Sequence, residues 1–89
     1  MKFPVGRIVA TPGFLQTVQR TGDNPFHFLC RHVSGDWGDV DQHDWDENDH
    51  SLANGFRLLS AYRLKDGTRI WLITEANRAS TTFLLPEEY

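Results

Sequence analysis

The chain has 89 residues, of which 39% are hydrophobic and 12% aromatic, and a formal charge of −3. This is the length of one domain, because a second would have no core of its own. The composition excludes a disordered chain, and the charge balance excludes a general polyanion binder. A single cysteine, Cys30, excludes an internal disulfide and a thiolate zinc cage. No apolar leader and no run of membrane-spanning length is present, so a soluble, cytoplasmic protein with no membrane partner is expected.

In chain order, Ile8 to Ala10 form a short apolar run that reads as a strand. Thr11 then caps a helix with Pro12 at its first position, and Thr21-Gly22 ends it. Phe14, Leu15 and Val18 share one face of that helix. Asn24 and Pro25 repeat the device, and Phe26, Leu29, Cys30 and Val33 at i, i+3, i+4, i+7 predict the buried stripe of a second helix. Phe28 and His32 fall on its flank. After the turn at "DWGD", Asp39 or Asp41 caps a third helix that runs to about Asn54-Gly55, with a thin apolar stripe of Trp45, Leu52 and Ala53.

From Phe56 the period changes to that of strands. "FRLLSAYRL" and "TRIWLITE" flank "KDGT", whose Asp66-Gly67 predicts a two-residue hairpin. That turn would pair Tyr62 with Trp71 and Ser60 with Ile73, and place Arg57 and Arg63 on one face with Thr74. "STTFLLP" is a further strand, stopped by Pro86. The expectation is one α+β domain over residues 1–89, ordered β-α-α-α-β-β-β: a short N-terminal strand, about three helices, then a three-stranded antiparallel sheet.

The charge along the chain is uneven. Seven of the twelve acids lie at Asp36, Asp39, Asp41, Asp44, Asp46, Glu47 and Asp49, and no lysine or arginine occurs between Arg31 and Arg57. Three stretches, "HVSGDWGDV" at 32–40, "LSAYRLKDGTRIWLITEANR" at 59–78 and "TTFLLPEEY" at 81–89, resemble a family of small bacterial proteins found on plasmids and other mobile elements. The resemblance covers most of the chain after residue 11. It implies a mobile-element setting and no particular activity, and this chain departs from the family pattern at Asn77, where relatives carry an acid. In architecture the chain is also similar to barnase-like and toxin-type small ribonucleases, a likeness at the level of fold alone.

Two functional readings follow. The first is a barnase-like ribonuclease or toxin, which needs a base, an acid and positive groups at the phosphate. His32 would act as base or acid with Asp36 orienting its ring. Arg78 would meet the phosphate, Ser80, Thr81 and Thr82 would donate hydrogen bonds, and Arg57 and Arg63 would guide the RNA. The plainer account is a histidine favoured at a helix C-terminus, a solvated turn arginine and threonines that favour strands. The second reading is a non-catalytic acidic inhibitor. Asp39, Asp44, Asp46 and Asp49 would imitate phosphates and occupy a basic protein surface, such as the DNA-binding channel of a restriction or CRISPR complex. Its plainer account is a solvated helix face. Trp37, between acids and glycines, would be either a core plug or a binding anchor. His43, Asp46, Glu47 and His50 share a helical face, but the spacing is not that of a zinc helix, so neither a metal nor another cofactor is assigned.

Overall fold

Local chemistry starts and stops each helix. In the computed structural model, which describes residues 1–89, strand β1 (Arg7–Ala10) leads into helix α1 (Pro12–Thr21). The Thr11 hydroxyl accepts from the Phe14 N–H at 3.3 Å, and Pro12 sits where no N–H is required. Helix α2 (Pro25–Val33) starts on Asn24, whose Oδ1 accepts from Phe26 N–H at 3.0 Å. Helix α3 (Gln42–Asn54) starts on Asp41, which accepts from Asp44 N–H at 2.8 Å, and ends at Gly55 in the left-handed region, φ 75°. Strands β2 (Leu58–Arg63), β3 (Arg69–Thr74) and β4 (Ser80–Leu84) follow, and a 3-10 turn at Pro86–Glu88 leads to the last residue. No helix is long and apolar enough to cross a membrane.

The class is α+β, as expected, and the sheet has one strand more. Its order is β1-β4-β3-β2, because β1 joins β4 in parallel, with Ile8 beside Thr81, while β2, β3 and β4 are antiparallel. The hairpin forms, but its register differs by one residue. Gly67 N–H bonds the Leu64 carbonyl and Leu64 N–H bonds the Thr68 carbonyl, both at 2.9 Å, so Lys65, Asp66 and Gly67 form a three-residue loop. Gly67 takes the left-handed position of that loop at φ 88°. Tyr62 therefore pairs with Ile70, and Trp71 faces Ala61. In a strand one residue of slip exchanges the two faces. Ile70, Leu72 and Thr74 thus join Leu58, Ser60 and Tyr62 under the helices, while Trp71 turns outward with Leu59 and Ala61.

The main core packs Phe14 and Val18 of α1 and Phe28 and Leu29 of α2 onto Tyr62, Leu64, Ile70, Leu72 and Phe83. Helix α2 is turned relative to the expected stripe. Phe28, Leu29 and His32 are buried, whereas Phe26 is 66% exposed and Cys30 is exposed. The reason is polar. His32 has partners on the sheet for both ring nitrogens, so burying it leaves no unmet hydrogen bond. Leu15 of α1 likewise stays outside, its inward neighbours being Phe14, Thr17 and Val18. A second cluster, Phe3, Trp37 and Leu58, is walled by Trp45 and Leu52 of α3.

The outer edge of β2 is closed without another strand. Ala61 N–H bonds the Trp37 carbonyl at 3.0 Å, the Ala61 carbonyl accepts from Asp39 N–H at 2.6 Å, and Asn48 of α3 bonds both backbone groups of Leu59. A bare edge would invite other chains to pair with it. Gly38 runs so close to β2 that an added Cβ would lie 2.0 Å from the Ala61 carbonyl oxygen.

Candidate functional site

His32 stands at the end of α2, over the middle of the sheet, and no part of it reaches solvent. Its ring meets Phe3 edge-on at 5.1 Å and Trp37 at 5.8 Å. Nδ1 lies 2.6 Å from Ser60 Oγ and Nε2 lies 2.8 Å from Thr74 Oγ1. Thr74 Oγ1 is 2.7 Å from Thr81 Oγ1, which donates to the Val5 carbonyl at 2.8 Å. The direction of every proton in this chain follows from its far end. A carbonyl only accepts, so Thr81 spends its one proton on Val5 and must accept from Thr74. Thr74 has then spent its proton and accepts from His32 Nε2–H. Neutral imidazole leaves Nδ1 to accept from the Ser60 hydroxyl. The network is complete with a neutral, Nε2-protonated ring, and it has no place for a second ring proton. Burial, followed by the positive charge of Arg78, pushes the His32 pKa down from 6.5 to about 4.

This geometry corrects the expected catalytic set. A general base has to reach the proton that it removes, and both nitrogens of His32 are engaged inside the protein. Asp36 does not orient the imidazole. It pairs with Arg31, Nε to Oδ2 at 2.7 Å, and accepts from Gly38 N–H at 3.1 Å. The Arg31 guanidinium holds the Asp36 carboxyl below the usual range, and Arg31 itself lies 4.6 Å over the Tyr62 ring. The three hydroxyls at 80–82 diverge as neighbours on a strand must. Thr81 is buried in the histidine network, while Ser80 and Thr82 belong to the opposite face.

Arg78 is a clamp within the protein. Its Nη1 donates to the carbonyls of Phe56 at 2.6 Å, Glu75 at 3.1 Å and Ala76 at 3.3 Å, and its Nη2 donates to Ser51 at 3.4 Å. It is also the one non-glycine residue with positive φ, 59°. The guanidinium thus ties the β3–β4 turn to the last turn of α3 and the chain leaving it. Arg57 lies over the Tyr89 ring at 5.5 Å, and Arg63 pairs with Asp39 at 2.9 Å. These two arginines are exposed and point away from the buried Thr74, so the strand face on which they would have guided RNA together with Thr74 does not exist.

The acidic segment divides by role. Trp37 is fully buried, a core plug and not an exposed anchor, and its Nε1–H donates to Asp49 at 2.9 Å. Asp36 and Asp39 are neutralised by arginines and Asp41 caps α3. Asp44, Asp46, Glu47 and Asp49 are exposed and none has a cationic partner. At about 100° per residue on a helix, Asp44 and Glu47 share one flank of α3, and Asp46 and Asp49 share the other. Asp46 accepts from Gln42 Nε2 at 2.8 Å. No group of three or more His, Cys, Asp or Glu side chains comes close enough to hold a metal ion.

A feature that the sequence pattern did not reveal lies between α3 and the outward face of the sheet. There Leu59, Ala61 and Trp71 form the floor of a groove walled by Asp41 and Asp44. The register of the hairpin decides it, since the expected pairing would have put Trp71 under the helices. Compared with known proteins, the chain matches no family model, no curated protein and no solved structure.

Proposed function

We propose that the protein is a non-catalytic binding module that presents the exposed carboxylates of α3 to a basic protein surface. The observation that carries this reading is the contrast in placement: Asp44, Asp46, Glu47 and Asp49 face solvent with no counter-charge, whereas His32 and Thr81 are shut in the core. The acids of α3 contribute four negative charges, and only their backbone and neutral neighbours hold them. A surface of this kind competes with nucleic acid for a basic channel, because both release counterions from the same cations. The partner class is a protein that binds DNA through arginine and lysine. A restriction or CRISPR complex suits the mobile-element resemblance of the sequence.

Competition tests the reading. A panel of purified DNA-binding proteins, restriction and CRISPR effector complexes among them, is incubated with a labelled DNA duplex and increasing amounts of the protein. Displacement of the duplex from a member of the panel is expected, weakening steeply between about 50 and 200 mM salt. Changing Asp44, Asp46 and Asp49 to Asn should reduce it stepwise. Binding of duplex and protein together, or affinity indifferent to salt, would overturn the reading. So would degradation of RNA by the wild type that is lost on His32→Ala.

A further inference from the structure

The groove on the outward face of the sheet has two connected parts. The wider, about 470 Å³, is floored by Leu59, Ala61 and Trp71 and walled by Asp41 and Asp44. The narrower, about 270 Å³, continues past Leu59 and Asp44 to Glu47 and Arg57. Leu59 and Trp71 are half-buried, with the Tyr89 ring edge-on to Trp71 at 5.8 Å, so the floor offers apolar area that the protein covers only in part. The adjacent edge of β2 is taken at Leu59 and Ala61, whose backbone groups bond Trp37, Asp39 and Asn48, which leaves too little of it for strand addition. An occupant must therefore lie on the face and be held by side chains.

The charge of the groove selects that occupant. Asp44 and Glu47 form no ion pair and accept no side-chain hydrogen bond, and Asp41 accepts only from a backbone N–H. Two arginines also line the groove, and neither pairs with a carboxylate of its wall: Arg69 donates to the Asp39 carbonyl at 3.0 Å, and Arg57 lies over Tyr89, whose ring meets Trp71 edge-on. They form no ion pair with the acidic wall between them. A cation with a long apolar stem fits such a site, stem on the floor and charge at the wall. Arginine fits better than lysine, because its planar guanidinium stacks on an indole and pairs with carboxylates, whereas an ammonium is more strongly hydrated.

We infer that this groove is the point at which the basic partner is gripped: it takes an arginine side chain of a partner protein, laid over Trp71 with its guanidinium against Asp41 and Asp44. The inference rests on the acidic-surface reading above and gives that surface a single anchoring position.

The test is an NMR titration of the full chain with acetyl-Ala-Arg-Ala-Arg-Ala-amide and with its lysine counterpart at low salt, following the three tryptophan indole signals and the amides of α3. The Trp71 signal should move and saturate while that of the buried Trp37 stays. The arginine peptide should bind about two- to fivefold more tightly than the lysine peptide. Asp44→Asn should weaken the arginine peptide by a similar factor, and Glu75→Gln, in the distant β3–β4 turn, should not. Trp71→Phe keeps an aromatic floor should Trp71→Ala fail to fold, and it should retain part of the preference for arginine. Peptides that shift only the outer amides of α3 and leave Trp71 still would overturn the groove while the acidic-surface reading stands. Equal affinity for the two peptides would also overturn it, as would no effect of Asp44→Asn. No binding of either peptide at low salt would remove both proposals together.

Discussion

Asn48 of α3 holds Leu59 of β2 by both of its backbone groups: Nδ2 donates to the Leu59 carbonyl at 2.7 Å and Oδ1 accepts from the Leu59 N–H at 3.0 Å. A side-chain amide thereby takes the place of a neighbouring strand, and it sets the distance between the acidic helix and the outward face of the sheet. The residue is 7% exposed, so water replaces its amide poorly. Asn48→Ala should cost about 1–3 kcal/mol, the penalty for leaving a buried donor and acceptor unmet. Urea unfolding measures the cost, and hydrogen exchange should show the Leu59 amide losing protection more than its strand neighbours. Unchanged exchange at Leu59 would mean that the edge is held by something else.

The His32 network makes stability depend on acid. The ring pKa is near 6.5 in the unfolded chain and about 4 in the fold. Between these values the unfolded chain binds the extra proton, so stability rises with pH. The contribution is fully present above about 6.5, is lost progressively as pH falls to about 4, and amounts to about 3 kcal/mol. Asp36, held below the usual carboxylate range by Arg31, loses its contribution at lower pH than this window. His32→Gln keeps a donor and an acceptor but cannot take a proton. Its unfolding free energy should be nearly flat from pH 6.5 to about 5, where that of the wild type slopes. Below this both proteins also lose the contribution of Glu88, whose carboxyl the Thr11 hydroxyl holds below the usual range. Parallel slopes for the two proteins would show that the ring is protonated in the fold.

Arg78 carries a local strain and repays it. A non-glycine residue in the left-handed region costs about 1 kcal/mol or more, yet its guanidinium meets four carbonyls. Arg78→Asn retains a residue type that tolerates that backbone and removes the clamp. A net loss of about 1–3 kcal/mol is expected, read as a lower thermal midpoint. An arginine kept for a phosphate would instead leave the midpoint unchanged when replaced.

What the sequence made legible was local, and what it concealed was distant. Thr11, Asn24 and Asp41 cap helices through bonds to residues two or three positions away; the first two were readable as caps, and Asp41 as one of two candidates with Asp39. The hairpin was visible in Asp66-Gly67, but its register was not. Gly67 serves both a two-residue turn and the left-handed position of a three-residue loop, and that one-residue difference sends Trp71 to the groove side. His32 was misplaced for a related reason. An apolar stripe does not register a histidine whose burial depends on Ser60 and Thr74, 28 and 42 residues further on. The same limit applies to Arg78, whose carbonyl partners include Ser51 and Phe56. Of the candidate site, the acidic surface could be seen in the composition of residues 36–49, and its apolar floor could not.

The rotation of α2 gives a test that separates the two possible faces of the helix. Leu29 is 9% exposed and packs with Phe28 in the main core, while Cys30, the next residue, is exposed. Adjacent helical positions differ by about 100°, so a helix set on the Phe26–Cys30 stripe would bury the thiol. Leu29→Ala should cost about 2–5 kcal/mol, from lost transfer energy and the cavity left behind. Cys30→Ser should cost less than about 0.5 kcal/mol, as surface changes do. The thiol itself gives a readout that needs no variant. In the native protein at neutral pH, Cys30 should react with a disulfide reagent at nearly the rate seen in urea, without prior unfolding. A native thiol that reacts only when the chain opens would return Cys30 to the core and Phe28 and His32 to the flank, and the histidine network would then have no ring at its centre.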